Sequence, residues 1–191
     1  MTRVLLIRHG ETDSNQTGIW QCQNDIPLNE RGMSQAEDLG RNFEYREVSG
    51  IFSSDMKRAI ETARILESIT GIRYLGSSSG LRERDCGEIS GLDYFGIERK
   101  FGIKLTSILS RELDNIPGAE KFEAFISRVQ QAINDIFRTA SGMDVCVVTH
   151  GGVMAYIHQW VSGTDELKRF GNCENMWIGF NGGNLVEIGN L

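Results

Sequence analysis

Two histidines in this 191-residue chain stand in the same setting. Val4-Leu5-Leu6-Ile7 runs into Arg8-His9-Gly10, and Val145-Cys146-Val147-Val148 runs into Thr149-His150-Gly151-Gly152. Each continuous apolar run reads as a strand buried on both faces. Each imidazole then falls just past the C-terminal end of a strand, the edge at which open α/β sheets bind their ligands. If the two strands are neighbours, the rings meet across one crevice. A glycine after each histidine lets backbone approach a ligand closely. A neutral imidazole near physiological pH is a competent nucleophile. One His-Gly pair alone would read as an ordinary satisfied strand end. Two such pairs among three histidines, one of them led by arginine, read as a reactive site. The third, His158, falls within a helical pattern and reads as structural.

The elements that position these residues are legible from periodicity. Residues 30–45 have helical spacing at Met33, Ala36, Leu39 and Phe43. Gly50 to Ser53 reads as a second short strand, and Ser53 or Ser54 as the cap of a helix carrying Met56, Ala59, Ile60, Ala63 and Leu66. Residues 77–92 are rich in serine, glycine and charge and read as a loop. Residues 93–119 read as one or two short helices ending at Pro117-Gly118, the best candidate for an inserted cap. Phe125, Val129, Ile133, Ile136, Phe137 and Ala140 mark an amphipathic helix. A further helix is expected after Gly151. Met176 to Phe180 and Leu185 to Ile188 flank Asn181-Gly182-Gly183, a hairpin pattern. Strands alternating with helices predict an α/β fold. The expected form is a three-layer sandwich, with a mostly parallel sheet, helices on both faces and a small helical cap, in one domain over 1–191.

Composition sets the outer bounds. A chain of this length buries roughly 70% of the surface its unfolded form exposes, so it can hold a core without disulfides or a metal. The formal net charge of −6 argues against non-specific binding to nucleic acid or anionic membranes. It leaves room for a local arginine-lined pocket. No apolar stretch suits a signal peptide or a membrane span, so a cytoplasmic protein is expected by elimination. Cys22, Cys86, Cys146 and Cys173 show neither C-x-x-C pairing nor zinc-finger spacing. Free thiols are the expectation, with Cys146 serving as core packing.

Arg8-His9-Gly10-Glu11-Thr12, with Asn15, closely resembles the R-H-G-E-T-x-x-N motif of the histidine phosphatase superfamily, which includes the cofactor-dependent phosphoglycerate mutases. The resemblance continues along the chain. Asp25-Ile26-Pro27-Leu28 with Gly32 and Gln35-Ala36 is similar to its D-x-P-L…G…Q-A segment. Ser53-Ser54-Asp55 with Arg58-Ala59 and Thr62-Ala63 is similar to S-S-D-x-x-R-A…T-A. Leu81-Arg82-Glu83 with Gly87, Pro117-Gly118-Ala119-Glu120, and Val147-Val148-Thr149-His150-Gly151-Gly152 resemble L-R-E…G, P-G-x-E and V-V-[ST]-H-G-G. An ordered set of segments is far more specific than any one of them.

The resemblance implies a catalytic set of His9, Glu83, His150, Arg8 and Arg58. It implies a phosphate-binding set of Arg8, Asn15, Arg58, His150 and Gly151. His9 would be the nucleophile. Arg8 and Arg58 would each fork onto phosphate oxygens, with the helix N-terminus at Arg58 adding its own N–H groups. His150 would stabilise the developing charge, and Glu83 would protonate the leaving oxygen and later deprotonate water. Read in isolation, Arg58 is an exposed helix arginine and Glu83 a solvated loop carboxylate. Glu11 reads as a loop-orienting residue outside the catalytic set. No metal and no cofactor is expected, since arginines and histidines carry the charge. The expected partner is a small phosphorylated metabolite, and a homodimer is compatible with the sequence.

Three positions depart from the family pattern. Cys22 stands where glycine is expected, Cys86 where phenylalanine is common, and Ser90 where glutamate is common. They bear on the leaving-group pocket. The resemblance implies a phosphomonoesterase working through phosphohistidine. A phosphoglycerate mutase is the runner-up, disfavoured by the short Leu92–Ala119 stretch. A phospho-ligand binder without activity is the reading from another class, and it would have lost the nucleophile or an arginine.

Overall fold

The computed structural model describes residues 2–44, 47–140, 142–181 and 184–188. Six strands form one sheet: β1 (Arg3–Arg8), β2 (Val48–Ser54), β3 (Tyr74–Ser78), β4 (Asp144–Thr149), β5 (Asn175–Asn181) and β6 (Asn184–Ile188). Their order is β3-β2-β4-β1-β5-β6. The β3-β2, β2-β4 and β4-β1 pairs are parallel, and β5 and β6 add an antiparallel edge. The helices are α1 (Asp13–Thr17), α2 (Glu30–Arg41), α3 (Lys57–Thr70), α4 (Tyr94–Phe101), α5 (Phe122–Thr139) and α6 (Gly151–Ser162).

Alternation along the central strands builds the layers. Val4, Leu6, Val145 and Val147 face α5 and α6, where they meet Phe125, Val129, Ile133, Val153 and Ile157. Leu5, Ile7, Cys146 and Val148 point the other way, onto Ala59, Ala63 and Leu66 of α3, with Leu39 of α2 beside them. Strands covered on both faces have no polar side, which is why their sequences are unbroken apolar runs. Each fully buried leucine or isoleucine contributes roughly 1.5–3 kcal/mol. The expected three-layer α/β arrangement is therefore the observed one.

A third cluster lies away from the sheet. Ile97, Leu105, Leu113 and Ile116, from residues 93–119, pack on Cys22, Cys86 and Ile89, with Trp20 and Ile108 beside them. At its centre Cys22 and Cys86 form a disulfide. The expectation of free thiols is thus corrected for this pair. The fold brings residues 64 positions apart together, a proximity that spacing along the chain does not reveal. Cys146 and Cys173 are free, and Cys146 is core packing as expected. Burial raises the thiol pKa of both, that of Cys173 to about 12.

Smaller differences have local causes. β3 was not expected, because an edge strand reading Tyr-Leu-Gly-Ser-Ser buries too little to show an apolar pattern. α3 is capped by neither Ser53 nor Ser54, which stay in β2. Met56 takes the cap position, and the Asp25 carboxylate accepts the Lys57 N–H at 2.7 Å. The hairpin strands are as expected, and the Gly182-Gly183 turn lies outside the described residues.

Candidate active site

Strand register brings the two histidines together. β1 and β4 pair in parallel with Arg8 opposite Thr149, and the His9 N–H donates to the Thr149 carbonyl at 2.9 Å. The next residues, His9 and His150, therefore leave the sheet side by side. Their ring centroids are 5.2 Å apart at 62°, and both rings are buried.

Hydrogen bonding sets the His9 tautomer. Nδ1 lies 2.7 Å from the Gly10 carbonyl, which can only accept, so Nδ1 carries the proton. Nε2 keeps its lone pair and accepts from Arg58 Nε at 3.3 Å. Burial lowers the His9 pKa well below its ordinary value of 6.5, and the Arg58 and Arg8 charges push it further down. His150 is lowered likewise, first by burial and then by Arg58, His9, Arg8 and Arg128. Both rings are accordingly neutral at pH 7.

Arg58 is fully buried beside them. Its Nη1 donates to the Asn24 carbonyl at 2.9 Å and its Nη2 to the Cys22 carbonyl at 2.8 Å. Burial lowers its pKa to about 10, opposed by Glu83 and Asp25, so it stays charged at pH 7. The sequence reading of an exposed helix arginine fails for it. At the N-terminus of α3 the Asp25 carboxylate takes the Lys57 N–H. Arg8 donates from Nη1 to the Phe170 carbonyl at 2.6 Å.

Buried polar nitrogens without a protein partner occur at this site. Among the described residues, Arg8 Nε and His150 Nδ1 are buried with no hydrogen-bond partner. His150 Nε2 pairs with Ser54 Oγ at 2.9 Å. Leaving a buried polar group unpaired costs about 1–3 kcal/mol, and an oxyanion against Arg8 would satisfy its Nε. Arg8, His9, Asn15, Arg58, Glu83 and Gly151 all line one cavity of about 280 Å³. The Asn15 carbonyl oxygen accepts from the Thr12 N–H and from Asn172, leaving its NH2 group as a donor on the wall.

Glu83 approaches from the far side. Its Oε2 accepts the Gly152 N–H at 2.8 Å, at the N-terminus of α6. A side chain at Gly152 would overlap the Glu83 carboxylate and Ile108, which accounts for the second glycine of His-Gly-Gly. Beyond Glu83 the cavity wall combines Ile19, Trp20, Ile108 and Leu167 with Thr106, Ser107, Lys168 and Arg169.

Six of the expected site residues, Arg8, His9, Asn15, Arg58, Glu83 and Gly151, thus line one cavity, and His150 lies beside it against His9. Glu11 points away, accepting from Asn29 Nδ2 and lying 3.6 Å from Arg31. His158 packs against Phe170 at the far end of α6. Sequence reasoning missed the supports. Ser54 holds His150, and the Thr62 hydroxyl accepts the Gly10 N–H at 3.1 Å. Asn172 donates to the His9 carbonyl at 3.0 Å and lies outside every motif. Ser54 and Thr62 could have been found, as both fall inside quoted motifs. Among the described residues, no three His, Cys, Asp or Glu side chains form a group that could hold a metal ion, and no helix is long and apolar enough to cross a membrane.

A mostly parallel sandwich with two buried histidines just past its strand ends, and Arg8 and Arg58 beside them, is a site suited to anion chemistry. The chain belongs to the histidine phosphatase superfamily, branch 1, whose family model matches residues 4–187. It is 35% identical over 164 residues to the metal-independent phosphoserine phosphatase of Arabidopsis thaliana, covering 83% of this chain and 68% of that protein. It is 31% identical over 159 residues to phosphoglycerate mutase-like protein 4 of the same plant, covering 82% and 69%. The solved structure of Bacillus stearothermophilus YhfR superposes with a TM-score of 0.87 at 26% identity, over 98% of this chain and 95% of that one.

Proposed function

We propose that the chain is a phosphatase that hydrolyses a small phosphomonoester through a phosphohistidine at His9. The observation that carries this reading is the buried, unpartnered Arg8 Nε, with the unpartnered His150 Nδ1 near it, beside a neutral His9 whose Nε2 bears a lone pair. His9 Nε2 attacks phosphorus in line, and the bond to the leaving oxygen breaks. Arg8, Arg58, Asn15 and His150 hold the equatorial oxygens, whose charge grows in the transition state. Glu83 gives its proton to the leaving oxygen, then takes one from water as that water attacks the phosphohistidine. Orthophosphate leaves and His9 returns to its starting form. Residues 93–119 act as the cap over the leaving-group side, where Thr106, Ser107 and Ile108 reach the cavity.

The substrate is a small phosphorylated metabolite. The relatives' names include a phosphoserine phosphatase and mutase-like proteins, so both kinds of substrate belong in the test. Phosphate released from phosphoserine, phosphoglycerates and sugar phosphates is measured, with acid-labile, base-stable label trapped on the protein. Label on His9, and turnover that survives chelation, support the reading. Label on another residue overturns it. Conversion of 3-phosphoglycerate to 2-phosphoglycerate with little free phosphate would make the protein a mutase.

A further inference from the structure

The Pro117-Gly118-Ala119-Glu120 motif supplies no group to the phosphate cavity, and neither does Arg128 of α5. Both are nevertheless tied to the segment that carries Glu83. Glu120 grips Arg128 through both oxygens, Oε1 to Nε at 2.6 Å and Oε2 to Nη2 at 2.7 Å. The rest of the guanidinium is spent on backbone. Nη1 donates to the Gly80 carbonyl at 2.9 Å and the Arg82 carbonyl at 2.6 Å, and Nη2 donates to the Glu83 carbonyl at 2.9 Å. An arginine has five N–H donors in a rigid fork, and all five are used here. Glu120 also accepts the Asp85 N–H at 3.3 Å and donates its own N–H to the Asp85 carbonyl at 3.0 Å.

The Glu83 segment needs such a mount. Residues 82–86 lie between two single-turn 3-10 helices, Ser79–Leu81 and Gly87–Ile89, outside any strand, and their backbone is paired at the far end through the isolated Cys86–Ala119 bridge and the Glu120 N–H on the Asp85 carbonyl. A proton donor works only within hydrogen-bond reach of the leaving oxygen, and a misplacement of about 1 Å can cost ~10²-fold. We infer that Arg128, locked by Glu120, is the positioning residue that fixes where Glu83 stands. This rests on the reading of Glu83 as the general acid. A lysine has three donors on a flexible stem, so it cannot hold two carboxylate oxygens and three carbonyls at once.

The test compares first-step burst rates for p-nitrophenyl phosphate and an alkyl phosphate in wild type, Arg128→Lys, Glu120→Gln and Glu83→Gln. Protonation by Glu83 matters for the alkyl leaving group and little for the aryl one. The aryl-to-alkyl rate ratio is expected to rise ~10-fold or more in Arg128→Lys and Glu120→Gln, and further in Glu83→Gln. The double variant Arg128→Lys/Glu83→Gln should have the same ratio as Glu83→Gln alone, because a mount without its acid has nothing to position. Should Arg128→Lys fail to fold, Glu120→Gln, which keeps the side chain's size, carries the comparison. An unchanged ratio in the mount variants beside a raised ratio in Glu83→Gln overturns the positioning role. An unchanged ratio in Glu83→Gln itself overturns the acid assignment and the inference with it.

Discussion

Arg58 Nε donates to His9 Nε2 at 3.3 Å, so the guanidinium sits on the lone pair that the proposed reaction directs at phosphorus. The contact cannot persist in the reaction, because the same lone pair forms the N–P bond. An entering phosphoryl group must take the Arg58 N–H in its place. On the proposed mechanism Arg58 thus has two tasks: it keeps His9 neutral before substrate arrives, and it holds phosphate oxygen afterwards.

Arg58→Ala should therefore slow phosphohistidine formation by roughly 10²–10³-fold, and by similar factors for aryl and alkyl phosphates, since the lost charge bears on phosphorus and not on the leaving group. Burst kinetics with both substrates measure this. A loss confined to the alkyl substrate would move Arg58 from the phosphate to the leaving-group side. The Cys22 and Asn24 carbonyls also lose their donor, so a lower Tm should accompany the kinetic loss.

The depressed histidines predict a pH dependence of definite sign. His9 and His150 are neutral in the folded protein well below 6.5 and titrate near 6.5 when unfolded. Below 6.5 the unfolded chain binds the extra protons. Stability is fully present above that pH and falls as pH drops from about 6.5 toward the folded values. The slope is at most about 1.4 kcal/mol per histidine per pH unit. Urea unfolding from pH 7.5 to 5 checks it, and His9→Ala should flatten the curve. Nitrogen-detected NMR should find both rings neutral at pH 6, and a charged His9 there would contradict the burial argument.

Gly152→Ala tests the fit between α6 and the acid. The added methyl group overlaps the Glu83 carboxylate and Ile108, so Glu83 must move or the helix must shift. Alkyl phosphate hydrolysis should fall by up to about 10²-fold, while the p-nitrophenolate burst from p-nitrophenyl phosphate suffers less. Unchanged alkyl turnover would mean that the carboxylate is free to relocate at no cost.

How much of this was legible in the sequence follows from what each residue answers to. His9 and His150 were readable because a strand buried on both faces leaves an unbroken apolar run, and the run's end fixes the residue. Their meeting needed only that β1 and β4 be neighbours, which the register of Arg8 with Thr149 satisfies. The ordered motifs carried Arg58 and Glu83, whose isolated surroundings say nothing. The supports were not legible. Asn172 reaches the His9 carbonyl from 163 residues away, and no local pattern marks a loop side chain that donates to backbone. The Cys22–Cys86 bond was hidden for the same reason, because sequence shows the departures from the family pattern but not that they meet.

That bond gives the last prediction. Cys22 holds φ +45°, in the left-handed region where a side chain costs roughly 1–2 kcal/mol and glycine costs little. Its carbonyl accepts from Arg58, while its sulfur is bonded to Cys86, three residues beyond Glu83. The disulfide thus ties the backbone acceptor of Arg58 to the segment that bears Glu83. A dithiol reductant should raise the free thiols from two to four and destabilise the protein by about 2–4 kcal/mol. It should also raise KM, because the Cys22 backbone that steadies Arg58 is no longer held. Cys22→Gly and Cys22→Ser both remove the crosslink, but only glycine relieves the left-handed backbone. Cys22→Gly should therefore be the more stable of the two, by about 1 kcal/mol. Urea midpoints of the two variants, beside oxidised and reduced wild type, decide it. Equal midpoints for glycine and serine would show that this backbone relaxes once the sulfur is gone, and an unchanged KM after full reduction would separate the disulfide from Arg58.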